Sequence, residues 1–305
     1  MEGIAIDMIG SNVSTVGGII RAFDQAQKWN CECIQIYTTL SRKWQIRKRT
    51  TEEIDEFKSA WEKSNVKIIV AHVPFLVNLA TNDPNLYNKS VKRLIQELES
   101  ADELCIDRVV LHPGSYKNGN SKDGLYKISD GIKDVFSKLP NIKTKILLET
   151  MAGQGTQIGK NFEELNFLIN EVNDSRIGIC CDTCHMYASG YDIRGYKGIR
   201  AVIKELDKII GIDKIGAFHI NDSIHPLRSG KDRHVGIGKG LIGLETFHEI
   251  VTDARFKSIP KIVENPNRDD DSLKDITMLF EFERNLNIVI DQPMPFAPPN
   301  QLELF

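Results

Sequence analysis

Long hydrophobic runs are missing from this chain. No stretch approaches the ~18 apolar residues of a membrane-spanning helix. The opening MEGIAIDMIG lacks the basic and apolar blocks of an export signal, so a cytoplasmic protein is expected. Cysteine is scarce, with six in 305 residues, and without an export signal these read as reduced thiols. Cys180-Cys181-Asp-Thr-Cys184 has a C-x-x-C spacing, but no second pair follows at zinc-ribbon distance. In a buried strand Cys180 and Cys181 would face opposite sides as small hydrophobes. An excess of one charge is also absent. The 39 Lys and Arg against 42 Asp and Glu exclude a globally basic nucleic-acid binder, though not a local basic patch. No Pro-, Gly- or Ser-rich linker and no internal repeat interrupts the chain before its last fifteen residues. One domain over residues 1–290 is expected, with a tail over 291–305. A chain of this length buries enough surface to fold without a disulfide or metal.

What is present is an alternation. Short apolar, β-branched runs occur at Gly3–Asp7, Cys33–Tyr37, Val66–His72, Arg108–His112, Lys145–Glu149, Ile177–Asp182, Ile215–Ile220 and Lys261–Glu264. Segments of helical period lie between them, among them Thr15–Trp29, Glu52–Ser64, Ser90–Leu104, Gly124–Leu139, Phe162–Glu171 and Lys197–Ile210. Near-continuous apolar strands alternating with helices predict a parallel sheet covered by helices. Eight strands is the number that closes a (β/α)8 TIM barrel, an α/β fold.

The ends of the strands carry the chemistry. The third to eighth runs end at or near His72, His112, Glu149, Asp182, His219 and Glu264, at gaps of 33 to 45 residues. A closed barrel brings such positions to the C-terminal face of the strands, where barrel enzymes place their active sites. His185 follows Asp182 closely. Asp232 and His234, two apart, point the same way if their segment is extended. Clustered carboxylates repel one another unless protonated or bound to cations. The imidazole and carboxylate set suits Zn²⁺, Mn²⁺ or Fe²⁺ better than Mg²⁺, and nine ligands fit two or three ions rather than one. His225 and His248 fall outside the pattern and read as surface or packing residues.

A basic loop follows the second strand. In Arg42-Lys43-Trp44-Gln-Ile-Arg-Lys-Arg49, five of eight residues are cationic. Basic side chains meet phosphates, and an indole or guanidinium stacks on a base.

The runs Leu-His112-Pro-Gly, Leu-Glu149-Thr-Met-Ala-Gly-Gln-Gly-Thr156, Cys181-Asp-Thr-Cys-His185, His219-Ile-Asn-Asp-Ser223 and Asp232-Arg-His-Val-Gly-Ile-Gly-Lys-Gly240 resemble the signatures of the endonuclease IV family, in order, over residues 2–286. The resemblance implies a zinc-dependent apurinic/apyrimidinic endonuclease with three metal ions. It implies incision 5′ to abasic sites in double-stranded DNA, leaving 3′-hydroxyl and 5′-deoxyribose phosphate, and removal of 3′-blocking groups. Carried over by position, His72, His112 and Glu149 would hold the first ion. Glu149 would bridge to a second, completed by Asp182, His219 and Glu264. His185, Asp232 and His234 would hold the third. Glu149 would also orient or deprotonate the nucleophile. DNA contact falls to Arg42, Lys43, Trp44, Phe75, Leu76 and Arg233. Four positions depart from the family pattern: Phe75 stands for tyrosine, Ile224 for lysine, Arg228 for glycine and Asn265 for threonine.

Two other readings compete. A metal-dependent sugar isomerase or epimerase shares the barrel and the ligand types, but needs one or two ions and a small polar pocket. A non-catalytic abasic-site-binding protein would bind without turnover. Manganese is a possible substitute for zinc, and a monomer is expected.

The tail from Gln292 to Asn300 has four prolines in nine residues and reads as an extended spacer. It presents Gln301-Leu302-Glu-Leu304-Phe305, which resembles a bacterial sliding-clamp-binding peptide and would suit a bacterial, nucleoid-associated enzyme. Deleting residues 301–305 should abolish retention on an immobilised bacterial clamp; equal retention would discard the clamp reading.

Overall fold

A computed structural model describes residues 8–39, 43–44, 46–265 and 270–284. Eight parallel strands close into a barrel: β1 (Ile9–Asn12), β2 (Cys33–Ile36), β3 (Ile68–His72), β4 (Arg108–Leu111), β5 (Lys145–Glu149), β6 (Ile177–Asp182), β7 (Ile215–His219) and β8 (Lys261–Val263). Each strand pairs with its sequence neighbours, and β1 pairs with β8 to close the ring. The helices are α1 (Arg21–Lys28), α2 (Thr51–Lys63), α3 (Pro84–Glu103), α4 (Ser121–Lys138), α5 (Phe162–Val172), α6 (Thr183–Ser189), α7 (Gly195–Ile209), α8 (Leu244–Thr252) and α9 (Asp270–Glu283). None of them is long and apolar enough to cross a membrane.

Local chemistry sets several boundaries. Thr50 and Glu53 form a reciprocal capping box at the start of α2. Asp83 caps α3, with Pro84 at the first helical position, where its missing N–H costs nothing. Asn120 and Asn161 cap α4 and α5. Asp182 caps α6, so one of its oxygens is committed to a helix start.

The expected run Gly3–Asp7 lies outside the described residues, and the first barrel strand is Ile9–Asn12 instead. Its sequence, Ile-Gly-Ser-Asn, has no apolar alternation to advertise it. Small residues are needed there, because a Cβ on Gly10 would sit 1.6 Å from the Cys33 carbonyl oxygen of β2. The first helix is shorter than expected, Arg21–Lys28 rather than Thr15–Trp29, because positive-φ Gly17 and Gly18 precede it. The tail residues Gln301, Leu302, Leu304 and Phe305 lie outside the described residues.

The core has two layers. Val70, Val110, Leu147, Cys180 and Ala217 fill the barrel interior. A larger cluster, including Cys181, packs the outside of the strands against the helices. The two adjacent cysteines thus face opposite sides. Cys31, Cys33, Cys105, Cys180, Cys181 and Cys184 are all free thiols. Leu147 reaches across the barrel because β7 carries Gly216, where a Cβ would meet it at 2.4 Å.

Helix α9 ties down the last loops through one carboxylate. Asp275 accepts from Ile237 N at 3.2 Å and from Asn265 Nδ2 at 2.8 Å. Burial pushes this carboxyl up to about 6, outweighing those donors. The folded pKa thus lies above the unfolded value of about 4, so the folded state gains a proton first and stability rises as pH falls through 6. The melting temperature of wild type relative to D275N should therefore rise by about 2–4 °C between about pH 7.5 and about pH 5. A constant difference would show that Asp275 titrates normally.

Candidate metal centre

Six strands deliver a donor to one end of the barrel. His72, Glu149, Asp182 and His219 are the last residues of β3, β5, β6 and β7, while His112 and Glu264 directly follow β4 and β8. His185 projects from α6, placed by the Asp182 cap, whose Oδ1 accepts from His185 N at 2.8 Å. His234 opens a two-residue strand that pairs antiparallel with Asp222–Ser223. Asp222 holds that loop in shape by accepting from the N–H groups of Gly238, Gly240 and Ile242.

Glu149 occupies the centre and is 1% exposed. Its Oε2 lies 3.3 Å from His72 Nε2 and 3.0 Å from His112 Nε2. Its Oε1 lies 3.1 Å from His185 Nδ1 and 3.2 Å from His219 Nδ1. Asp232 lies 3.3 Å from both His185 Nε2 and His234 Nε2. Glu264 Oε2 lies 3.2 Å from His219 Nδ1. The donor atoms gather into three groups, each with all members within 4.8 Å: His72, His112 and Glu149; Glu149, Asp182, His219 and Glu264; His185, Asp232 and His234. These are the sets into which the resemblance divides the nine residues.

The donor set fits divalent cations. Nε2 of His185 and of His234 is buried with no hydrogen-bond partner among the described residues, although carboxylate oxygens stand close by. Buried polar atoms are seldom left so, and a ligand lone pair awaiting an ion accounts for it. Other imidazole nitrogens are oriented from behind. His72 Nδ1 donates to Val73 O at 2.7 Å, and His219 Nε2 donates to Gln35 Oε1 at 2.8 Å. Such outer bonds fix the tautomer and aim the remaining lone pair inward. Without cations the cluster holds protons instead. Burial opposes charge on His112, but the Glu149 carboxylate outweighs it and raises the imidazole pKa. Burial likewise opposes ionisation of Glu149, but His112 and His219 keep its carboxyl well below the usual range. A divalent ion would displace these protons. A fourth grouping, Asp182, Cys184 and His234, includes a thiol. Burial pushes Cys184 up to about 12, which favours the protonated, non-ligating form.

Two further polar residues, Gln35 and Asn221, complete the site. Gln35, buried on β2, donates to Glu264 Oε1 at 2.6 Å while accepting from His219. Asn221 Nδ2 donates to Asp182 Oδ2 at 2.7 Å, and its Oδ1 accepts from Glu264 N at 2.9 Å. Neither stands at a strand end in the pattern, and neither is a typical ligand type.

Of the residues expected to meet DNA, Phe75 and Leu76 lie just beyond the end of β3, and Arg233 lies between Asp232 and His234. Phe75 is 63% exposed, Leu76 is half-buried and Arg233 is exposed. Lys43 is exposed and Trp44 half-buried, while Arg42 lies outside the described residues. The basic segment is anchored from below. Buried Arg93 on α3 pairs with Glu97 at 2.6 Å and donates to Lys43 O and Thr39 Oγ1. Glu97 accepts from Thr38 Oγ1 at 2.5 Å and Thr39 Oγ1 at 2.8 Å, and Arg49 donates to Thr38 O. His225 is partly exposed, and His248 packs against Tyr196 and Phe282.

Q35A should keep the fold but weaken zinc affinity about 10–100-fold, read by competition with a chromophoric chelator. Wild-type affinity in Q35A would remove Gln35 from any role in holding the site.

A family profile described as a xylose isomerase-like TIM barrel matches residues 23–282. The probable endonuclease 4 of Geobacter sulfurreducens is 37% identical over 266 residues, covering 87% of this chain and 90% of that protein. The crystal structure of endonuclease IV from Thermus thermophilus matches with a TM-score of 0.82 at 28% identity, covering 91% of this chain and 99% of that one. A D-tagatose 3-epimerase-like protein matches with a TM-score of 0.72 at 22% identity, covering 92% and 98%, a likeness of fold alone. On the profile match and an identity held along nearly the whole of both chains, this protein belongs to the endonuclease IV family of xylose isomerase-like TIM barrels.

Proposed function

We propose that this protein is a DNA-repair nuclease that hydrolyses the phosphodiester bond 5′ to abasic sites and clears blocked 3′ ends, using three zinc ions. The observation that carries this reading is the convergence of nine His, Asp and Glu side chains in three adjoining groups, with two imidazole nitrogens left unpartnered. The relatives named endonuclease 4 support the choice of DNA as substrate.

When bound, the ions lower the pKa of water toward neutrality and offset charge on the phosphoryl oxygens. The chain's own residues do the rest. Glu149 spans the first two donor groups, so its carboxylate is the residue placed to orient the attacking water and accept its proton. Gln35 and Asn221 hold Glu264 and Asp182 in place while this happens. Lys43 and Arg233 contact phosphates, and Trp44 and Phe75 offer apolar faces to bases beside the lesion. Phenylalanine keeps the ring but brings no hydroxyl at position 75. An abasic nucleotide is the least costly to turn out of the stack, because its base is already lost.

The test is a duplex with one tetrahydrofuran abasic analogue, which cannot undergo β-elimination. The purified protein should cut 5′ to the lesion, lose this activity on prolonged chelation and regain it with zinc. E149Q should lower the rate by at least about 10²-fold. Absence of cleavage by protein carrying about three ions would overturn the nuclease reading and leave sugar isomerisation or silent lesion binding.

A further inference from the structure

Most arginines on this surface are tied to acids. Arg176, Arg194, Arg200 and Arg255 each meet a carboxylate at 2.6 or 2.7 Å. Arg228 is exposed and has no acidic partner among the described residues, and the same holds for Lys160. Both line one cleft of about 530 Å³, together with Asn161, Ser189 and Gly190. Asp192 and Glu205 line it too, but Asp192 is neutralised by Arg194 at 2.7 Å. Among the described residues, the lining thus holds two cations and one acid, Glu205, without an ion-pair partner.

The backbone at Arg228 is the telling feature. Its φ is +63°, in the left-handed region where glycine is unstrained and an arginine is not. Asn30, Cys105, Lys117 and Asn173 share such a backbone, but at Arg228 it also sets the course of a long cationic side chain beside the cleft. That side chain is also placed. It lies along Gly190, where a Cβ would come within 3.0 Å of its Cγ and 3.3 Å of its Nε. The segment is pinned to α6 by Arg228 N donating to Tyr187 O at 3.3 Å and Gly230 N to Ala188 O at 2.9 Å.

The cleft adjoins the metal centre. Lys160 packs against Gly153, whose carbonyl oxygen lies beside Gly230. Two residues on, Asp232 N donates to Gln154 Oε1 at 3.3 Å. The two cations thus stand on the same loops that position the third donor group. A polymer with regularly spaced phosphates that enters this centre has to continue over its rim. Exposed cations beyond the rim meet the next phosphates and release counterions. A guanidinium offers them two parallel donors.

We propose that Arg228 and Lys160 form a binding site for the phosphate backbone of DNA flanking the reacting bond. This rests on the nuclease reading.

Undamaged duplex contains no abasic site to cut, so the metal-loaded protein can be titrated with it across a salt series. R228G and K160A should each weaken binding by about three- to tenfold and lower the salt slope by about one. R228K should keep most of the slope. R228G should melt no lower than wild type, because glycine relieves the left-handed backbone. Wild-type affinity and slope in both R228G and K160A would overturn the proposal, as would a fall in the melting temperature of R228G matching its loss of binding, which would mark Arg228 as a packing residue. If wild type cleaves abasic DNA while the variants bind normally, this proposal alone falls. If wild type neither cleaves nor binds DNA, the nuclease reading falls with it.

Discussion

A buried carboxylate ringed by imidazoles is the constraint on which the rest depends. Glu149 is taken out of water at the top of the barrel, a step that costs several kcal/mol unless opposite charge is supplied. Four imidazoles approach it from four different elements within 3.3 Å. Asp182, Asp232 and Glu264 add three more carboxylates around it. Such a cluster is tolerable only with cations or protons among its members. It is therefore a poor device for stability and a good one for concentrating positive charge. The barrel frame supplies the stiffness that holds the acids together, and the interior plug of Val70, Val110, Leu147, Cys180 and Ala217 supplies the floor.

Much of this was legible in the sequence, for a physical reason. Parallel strands buried on both faces read as plain apolar runs, so the residue that ends each run stands out. His72, Glu149 and Asp182 are conspicuous because the four residues before each are mostly Ile, Val, Leu or Cys. The β1 strand escaped because its job forbids the signal: Gly10 must lack a Cβ for the neighbouring strand to approach. The roles of Gln35 and Asn221 are hidden for another reason. Their value lies in contacts with residues more than 35 positions away, and no local spacing encodes that. The Arg93–Glu97 pair on α3 looks in sequence like an ordinary helical i,i+4 ion pair; only burial beneath the basic segment distinguishes it.

Strain and specificity meet in the loop after β7. Asp222 spends its buried carboxylate on backbone N–H groups, which shapes the loop that carries Asp232 and His234. The same loop accepts left-handed backbone at Arg228 and Gly230. The strand ends hold the donor residues on the rigid barrel frame, and the loops beyond them complete the set. The departures at Phe75, Ile224 and Arg228 all fall in such loops and none within a barrel strand.

The hydrogen bond from Gln35 to Glu264 joins residues 229 positions apart, and the bond from His219 to Gln35 spans 184. Both cross the seam where β1 fits between β2 and β8. The centre is thus assembled by the two ends of the chain, and its last donor comes from its last barrel strand. Contacts of such sequence separation form late, after the entropy of closing the long loop has been met. A growing or partly folded chain therefore holds only fragments of the donor set. Ring closure completes the second donor group, to which Glu264 belongs, so an ion held there would be bound fully only once the ring has closed.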